Sequence, residues 1–258
     1  RRAVPLGAVL SLLLLFACVP GGGGGRVRLA GVDPGRLTTA ERAAAHFTAT
    51  RFIAADGESL PLRQWLPEGR VNAVILALHG FNDYSNAFAT PAALWARRGI
   101  ATFAYDQRGF GATHGRGSWA GGAQLAADAV TAARILRARY PGVPLYLLGE
   151  SMGGAVAVVT MTGALGTPVP EVDGVILSAP AVWGRDTMEL LPKLALWAGV
   201  RMFPALVLTG HSLKIMASDN VPMLRGLARD PLVLKETRMG TVYGLVDLMD
   251  NALAAAPR

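Results

Sequence analysis

The sequence predicts an α/β fold with a mostly parallel sheet and helices on both of its faces. The first observation is that short, continuous apolar runs, typical of strands buried on both faces, alternate with longer segments of helical length. The second is that a glycine-rich turn joins one of these runs directly to a helix. Parallel strands of one sheet need such crossovers between them. The predicted strands span 73–78, 100–105, 145–148 and 175–177, and the predicted helices span 85–98, 123–140 and 155–161.

Two further strands precede this alternation. Residues 52–55 and 60–66 are rich in apolar side chains, and the Asp56-Gly57 pair between them is typical of a tight hairpin turn. We therefore expect a hairpin ahead of the parallel strands. On this reading, 26–180 forms the N-terminal part of the core domain.

The pattern changes after residue 180, where no further strand–helix unit is recognisable. Prolines divide this region into short segments, and two helices are predicted, at 187–202 and 241–256. Ligands of open parallel sheets bind at the carboxyl ends of the strands. We therefore interpret 181–258 as a helical cap, or lid, inserted over that edge of the sheet.

The composition excludes several classes of function. Of the 258 residues, 52% are hydrophobic and 17% are charged, and the formal net charge is +7. The 25 Lys and Arg residues are scattered and are not interleaved with aromatic residues, unlike a nucleic-acid-binding surface. The four His residues and the single Cys have no metal-ligand spacing. We therefore expect no nucleic-acid partner, no metal and no cofactor.

Residues 1–25 are typical of a leader rather than of a domain. Two arginines precede an apolar stretch at 6–16 that is too short for an ordinary membrane span. The sequence L-F-A-C at 15–18 resembles a bacterial lipobox, whose cysteine becomes lipidated, and a glycine run at 21–25 suits a tether. We expect a lipoprotein anchored through Cys18 to a membrane of the bacterial cell envelope. The alternative is a secreted or periplasmic protein with an ordinary signal peptide, or an uncleaved anchor.

The glycine-rich turn, G-E-S-M-G at 149–153, is the first candidate for a catalytic site. It follows a predicted strand and precedes a predicted helix, and so sharp a turn needs glycine because a Cβ would clash. The turn exposes the hydroxyl of Ser151. It also places the N–H of Met152 at a helix N-terminus, where developing negative charge is favoured. We interpret Ser151 as a nucleophile; the alternative is a strand–helix turn with an incidental serine.

Four motifs follow one another along the predicted core. They are H-G-F-N-D at 79–83, Y-D-Q-R-G-F-G at 105–111, G-E-S-M-G-G at 149–154 and S-A-P at 178–180. In this order they resemble the α/β-hydrolase superfamily, and within it the monoacylglycerol lipase and lysophospholipase group. The resemblance runs from about residue 52 to residue 180 and continues more weakly beyond it.

The resemblance implies a role for individual residues. In this family the H-G histidine is structural, so His79 is not expected to be the base, and Asp106 is read as a carboxylate that fixes its loop. The implied site consists of the nucleophile Ser151, the oxyanion-hole N–H groups of Phe81 and Met152, and the elbow glycines Gly149 and Gly153.

The other half of a catalytic triad has no match. In this family an Asp and a His lie on loops after two strands that follow the cap. Residues 203–210 resemble the strand that precedes the Asp, but Leu213 stands where that Asp is expected and no His follows His211. We therefore assign 203–213 to the cap. We expect the C-terminal strands and the triad Asp and His to lie outside this chain, which would be a fragment and inactive alone.

The resemblance implies a serine hydrolase that cleaves carboxylic esters of lipid-like substrates, either monoacylglycerol or lysophospholipid, through an acyl-enzyme on Ser151. One alternative is a catalytically incomplete, membrane-tethered binding module. Another is a peptidase, thioesterase or acyltransferase of the same fold, since fold does not fix the substrate. Four apolar cap residues are candidate walls of an acyl pocket, or are ordinary cap packing: Trp183, Met188, Leu191 and Trp197.

Overall fold

The computed structural model describes residues 45–203, 205–209 and 219–256. The predictions for 1–25, including lipidation of Cys18, fall outside these ranges and stay predictions. The nine strands in the described part are β1 His46–Phe47, β2 Arg51–Ile53, β3 Ser59–Trp65, β4 Ala73–Leu78, β5 Ile100–Tyr105, β6 Leu145–Glu150, β7 Gly174–Ser178, β8 Val207–Thr209 and β9 Glu236–Arg238. Its α-helices are α1 Ala89–Ala96, α2 Gly122–Arg139, α3 Met152–Thr162, α4 Leu190–Met202, α5 Val221–Arg229 and α6 Met239–Ala255, and short 3-10 helices cover Ser85–Phe88 and Arg185–Thr187.

Within the described residues, the central sheet has seven strands in the order β1-β2-β3-β5-β4-β6-β7. The neighbouring pairs β5–β4, β4–β6 and β6–β7 are parallel, whereas β1, β2 and β3 join in antiparallel register. The predicted hairpin forms, and Gly57 at its turn has a φ of 84°. The prediction of a mostly parallel sheet is confirmed.

Side chains of β4 alternate between two apolar layers, as a strand buried on both faces requires. Val74, Leu76 and Leu78 belong to a large core that also contains α2, α3 and α6. Ile75 and Ala77 belong to a smaller layer that includes Ala92 of α1. Helices therefore cover both faces of the sheet, as predicted. At the edge of the described sheet, the three apolar residues of β7, at 175–177, remain 40% to 44% exposed.

The region after residue 180 contains a second, two-stranded sheet. In it β8 pairs antiparallel with β9, and Leu208 lies opposite Thr237. The segment at 207–209 therefore lies outside the central sheet, and its assignment to the cap stays a prediction. The expectation of a purely helical cap misses this sheet, because strands of three residues are too short to show a side-chain alternation.

Helix α6 packs against α3 and α2 rather than standing apart from the core. Leu248 and Ala252 on α6 are fully buried in the large core. The division of the chain at residue 180 stays a prediction, with one refinement: the final predicted helix contributes to the helical layer of the core.

A buried ion pair joins the loop after β5 to α2. The Nε of Arg108 donates to Oδ2 of Asp128 over 2.6 Å, and its Nη2 donates to Oδ1 over 2.9 Å. The same Nη2 also reaches Asp56 at 2.8 Å, in the turn of the N-terminal hairpin. Three distant parts of the chain therefore meet at one guanidinium.

Replacing Gly244 with alanine is expected to destabilise the fold through the packing of α6. A Cβ at this position would lie 2.2 Å from Cδ1 of Trp119, so the indole ring or the helix must move. We expect the free energy of unfolding, measured by urea denaturation, to fall by about 1–3 kcal/mol. The control is Gly226→Ala in α5, where an added Cβ meets nothing within 4 Å. That change should be neutral or stabilise by up to ~1 kcal/mol, and an equal loss in both variants would contradict the packing argument.

Candidate active site

Ser151 occupies a strained turn between β6 and α3. Its φ is 51° and its ψ is −114°, a conformation that residues with a Cβ rarely adopt. Its N–H donates to the carbonyl of Ser178 at 3.0 Å, and its own carbonyl accepts from the N–H of Ala181 at 2.9 Å. The chain after β7 therefore holds the turn from one side. This geometry lifts the Ser151 side chain out of the strand at the carboxyl end of the sheet.

The elbow glycines have no room for a side chain. A Cβ on Gly149 would lie 2.3 Å from the carbonyl oxygen of Gly153, and one on Gly153 would lie 2.0 Å from that of Leu78. Sequence reasoning missed a third position, Gly154, whose Cβ would lie 2.7 Å from Cβ of Pro180. The doubled glycine and the S-A-P motif were the available signal for this contact. Backbone of β4, α3 and the S-A-P segment therefore converges on the elbow.

The loop after β4 lies beside the nucleophile. A Cβ built on Gly80 would lie 3.3 Å from Cβ of Ser151 and 2.4 Å from Oε2 of Glu150. The peptide that joins Gly80 to Phe81 is therefore close to the serine. Met152 is the first residue of α3, so its N–H has no carbonyl acceptor in a preceding helical turn. The structure thus brings together the three residues that the sequence assigns to nucleophile and oxyanion hole.

His79 is fully buried and both of its ring nitrogens have backbone partners. The N–H of Gln107 donates to Nε2 at 2.9 Å, so Nδ1 carries the proton and donates to the carbonyl of Gly80 at 2.8 Å. Burial lowers the pKa of His79, which favours the neutral ring. A ring held in this way fixes the loop and is not placed to accept a proton from Ser151.

Asp106 is a second buried anchor of the loops. Its Oδ1 accepts from the N–H of Ser85 at 3.1 Å and from the Ser85 hydroxyl at 2.5 Å, and its Oδ2 accepts from the N–H of Ala112 at 3.0 Å. These bonds connect the loops that follow β4 and β5. The interpretation of Asp106 as a loop-fixing carboxylate agrees with this geometry.

Two carboxyl groups, Glu150 and Asp83, lie in or beside the loop after β4. Burial raises the pKa of Glu150, and the charge of Asp83 raises it further, while a hydrogen bond from the backbone of Gly80 opposes both. Burial also raises the pKa of Asp83. Glu150 is thus a partly buried polar neighbour of Gly80, where an added Cβ would lie 2.4 Å from its Oε2.

Three of the four predicted pocket residues are largely exposed to solvent. Trp183, Leu191 and Trp197 are 54% to 78% exposed, and Met188 is partly buried. A groove of about 700 Å³ is lined instead by parts of 228–238 together with Arg116, Gly117 and Val207. The acyl-pocket role of the four residues stays a prediction. Within the described ranges, no group of three or more His, Cys, Asp or Glu is placed to hold a metal ion, and no helix is long and apolar enough to cross a membrane.

Comparison with known proteins matches residues 69–258 to the family described as "Serine aminopeptidase, S33". Human monoglyceride lipase is 30% identical over 132 residues, which are 51% of this chain and 42% of the lipase, and rat monoglyceride lipase matches over the same shares. The chain thus spans less than half the length of these two relatives. Phospholipase YtpA from Bacillus subtilis is 32% identical over 182 residues, 70% of this chain and 68% of that protein.

Solved structures show the same fold at low sequence identity. A monoacylglycerol lipase from Paleococcus ferrophilus superposes with a TM-score of 0.57 at 19% identity, over 77% of this chain and 73% of that one. A monoglyceride lipase from Saccharomyces cerevisiae, in complex with a substrate analog, superposes with a TM-score of 0.60 at 19% identity, over 76% and 66%.

Proposed function

This chain belongs to the S33 serine aminopeptidase family of α/β-hydrolases, and we propose from that premise that it is a serine hydrolase of lipid-like carboxylic esters. The observation that carries the proposal is the strained turn at Ser151, next to the Gly80–Phe81 peptide and at the N-terminus of α3. The ester preference is inferred from relatives that are named as monoglyceride lipases and as a phospholipase.

The proposed reaction is acyl transfer through the serine. Ser151 Oγ attacks the ester carbonyl carbon, a C–O bond forms, and the carbonyl electron pair moves to an oxyanion. The N–H groups of Phe81 and Met152 would stabilise that charge, which is usually the largest single contribution of such a site. Collapse of the intermediate expels the alcohol, and water then releases the fatty acid from the acyl-enzyme. A base must take the Ser151 proton, and His79 is unsuited because both of its nitrogens are occupied.

A substrate panel tests this proposal on the protein expressed from its complete gene. We expect monoacylglycerols or lysophospholipids to be hydrolysed faster than triacylglycerols, because a cap over the site admits one acyl chain more easily than three. A fluorophosphonate probe should label Ser151, as located by peptide mass spectrometry. Faster cleavage of an amino-acid p-nitroanilide than of any ester would contradict the proposal.

An aminopeptidase is the second candidate, because the family is described by that activity. The relative rates on the amino-acid p-nitroanilide and on the esters decide between an aminopeptidase and an esterase. A catalytically incomplete binding module is the remaining alternative. It predicts that no ester or amide is turned over and that the probe leaves Ser151 unlabelled.

A further inference from the structure

Asn82, the residue after Phe81, is hydrogen-bonded to β9 and to the segment that leads into it. Its carbonyl accepts from the N–H of Leu234 at 2.8 Å. Its side-chain Nδ2 donates to Oγ1 of Thr237 at 2.9 Å, and its Oδ1 accepts from the same hydroxyl at 3.1 Å. Thr237 is only 6% exposed, so water has little access to compete for these bonds. We refer to these contacts as the Asn82–Thr237 clasp.

The backbone at Asn82 needs such support. Its φ is 66°, in the left-handed region, where a non-glycine residue carries a cost of roughly 1–3 kcal/mol that the surrounding structure must offset. Asparagine tolerates this region better than most residues. Its amide is also the group that the clasp uses, so one side chain both permits the turn and anchors it.

A second contact holds the same loop two residues further along. The hydroxyl of Tyr84 donates to Oδ2 of Asp230 at 2.6 Å. Burial of the phenol, with the Asp230 carboxylate beside it, raises the pKa of Tyr84 to about 12, so the hydroxyl keeps the proton that it donates. Both contacts end on the segment 230–237, and neither involves the core sheet.

On its other side the loop contacts the core. The ring of Phe81 packs edge-on against Phe110 with 5.5 Å between centroids. Glu150 contacts Gly80, where an added Cβ would lie 2.4 Å from its Oε2. The Phe81 peptide is therefore held between a core contact on one side and the clasp on the other.

We propose that Asn82 and Thr237 are positioning residues that hold the Phe81 N–H in place for the oxyanion, so that β9 is part of the catalytic geometry. This inference rests on the proposed function, in which that N–H stabilises the transition state. Without the clasp, Asn82 is free to leave its strained conformation, and Phe81 moves with it, so that the Gly80–Phe81 peptide, which carries the donor N–H, is displaced. A displacement of about 1 Å at such a donor can cost on the order of 100-fold in rate.

Thr237→Val is the primary test, because valine keeps the shape of threonine and removes the hydroxyl. The assay uses the protein expressed from its complete gene and an ester that the unmodified protein hydrolyses. In this assay we expect the kcat of Thr237→Val to be roughly 10- to 100-fold lower. KM should stay within about twofold, because the donor acts mainly in the transition state. Asn82→Gly should have a similar effect, since glycine accepts the positive φ but lacks the amide. Thr237→Ser should restore most of kcat, and the double variant should be no worse than the worse single one.

Thr241→Val is the matched control. Thr241 is also buried, and its hydroxyl bonds the carbonyl of Gly117 at 2.9 Å, away from the oxyanion loop. It should keep the kcat of the unmodified protein. Hydrogen exchange, followed by mass spectrometry over 79–84, gives a readout that needs no substrate: exchange should accelerate in Thr237→Val and not in Thr241→Val.

Several outcomes would overturn the inference. They are an unchanged kcat and exchange rate in Thr237→Val, a change in KM alone, or an equal loss of kcat in Thr241→Val. Failure of the proposed function looks different: the unmodified protein would then turn over no ester, or would do so equally well as Ser151→Ala. If the unmodified protein hydrolyses the ester in a Ser151-dependent way and Thr237→Val does so equally fast, the positioning role of the clasp is wrong and the proposed function stands.

Discussion

Replacing Ser151 with alanine is expected to remove ester hydrolysis by the protein from its complete gene. The loss in kcat should be roughly 10⁶-fold, as for deletion of the serine nucleophile in a well-formed serine hydrolase site. Alanine keeps the Cβ and therefore the same backbone strain at a φ of 51°. The variant should fold and melt like the unmodified protein, since only one oxygen atom is lost. Initial-rate assays at saturating ester, with thermal melting alongside, measure both effects.

Ser118→Ala is a suitable control for this experiment. Ser118 lies in a loop, where its hydroxyl accepts from Nη1 of Arg238 at 3.5 Å, and it is not part of the elbow. It should keep full turnover and full labelling by a fluorophosphonate probe. Labelling or turnover that survives Ser151→Ala would falsify the assignment of the nucleophile.

Replacing Arg108 with alanine should produce the largest loss of stability. Asp128 is 2% exposed and receives two hydrogen bonds from the guanidinium. Removing one partner of a buried pair leaves the other charge uncompensated in a medium of low dielectric. We expect the free energy of unfolding to fall by roughly 3–5 kcal/mol at pH 8. Urea denaturation followed by circular dichroism measures this change.

The loss should depend on pH in a defined direction. Burial raises the pKa of Asp128 to about 6 from its ordinary 3.8, against the opposing effect of Arg108. The folded state therefore holds this proton more tightly than the unfolded state, so stability from this group increases as the pH falls from about 6 towards 3.8. Without Arg108 the pKa of Asp128 rises further. The pH range over which protonation of Asp128 stabilises the folded state then extends to higher pH. The variant should therefore recover part of its loss between pH 8 and pH 5.

Two comparisons separate this explanation from simple loss of packing. In Arg108→Ala combined with Asp128→Asn, neither charge of this pair remains, so the loss relative to the unmodified protein should be smaller at pH 8 and nearly constant down to pH 6. A loss in Arg108→Ala that is the same at every pH would show that the guanidinium acts mainly by filling space.

The central strands were predictable from sequence because of their burial. Strands β4 and β5 agree with the predicted runs at 73–78 and 100–105 at both ends. Each run is bounded by a polar residue or a glycine, so the change in composition coincides with the change in environment. The elbow was recognisable for a related reason: its glycines are set by steric conflicts within a few residues of the chain.

The contacts that depend on distant parts of the chain were not predictable. Asn82 and Thr237 lie 155 positions apart, and no sequence pattern near either residue indicates that the two are in contact. Strands β8 and β9 are too short to show a period and form only because they pair with each other. The role of Arg108 likewise becomes visible only when the hairpin turn and α2 are brought to one place.

The attachment of the elbow to the end of β7 has a consequence for how heat would inactivate this protein. Ser151 exchanges main-chain hydrogen bonds with Ser178 and Ala181, which belong to the outermost described strand and the residues after it. Proteins open locally at a lower free energy than they unfold globally. Local opening of the chain at 178–181 would release the serine from its conformation while β4 and β5 are still intact. Inactivation and unfolding are then two events rather than one.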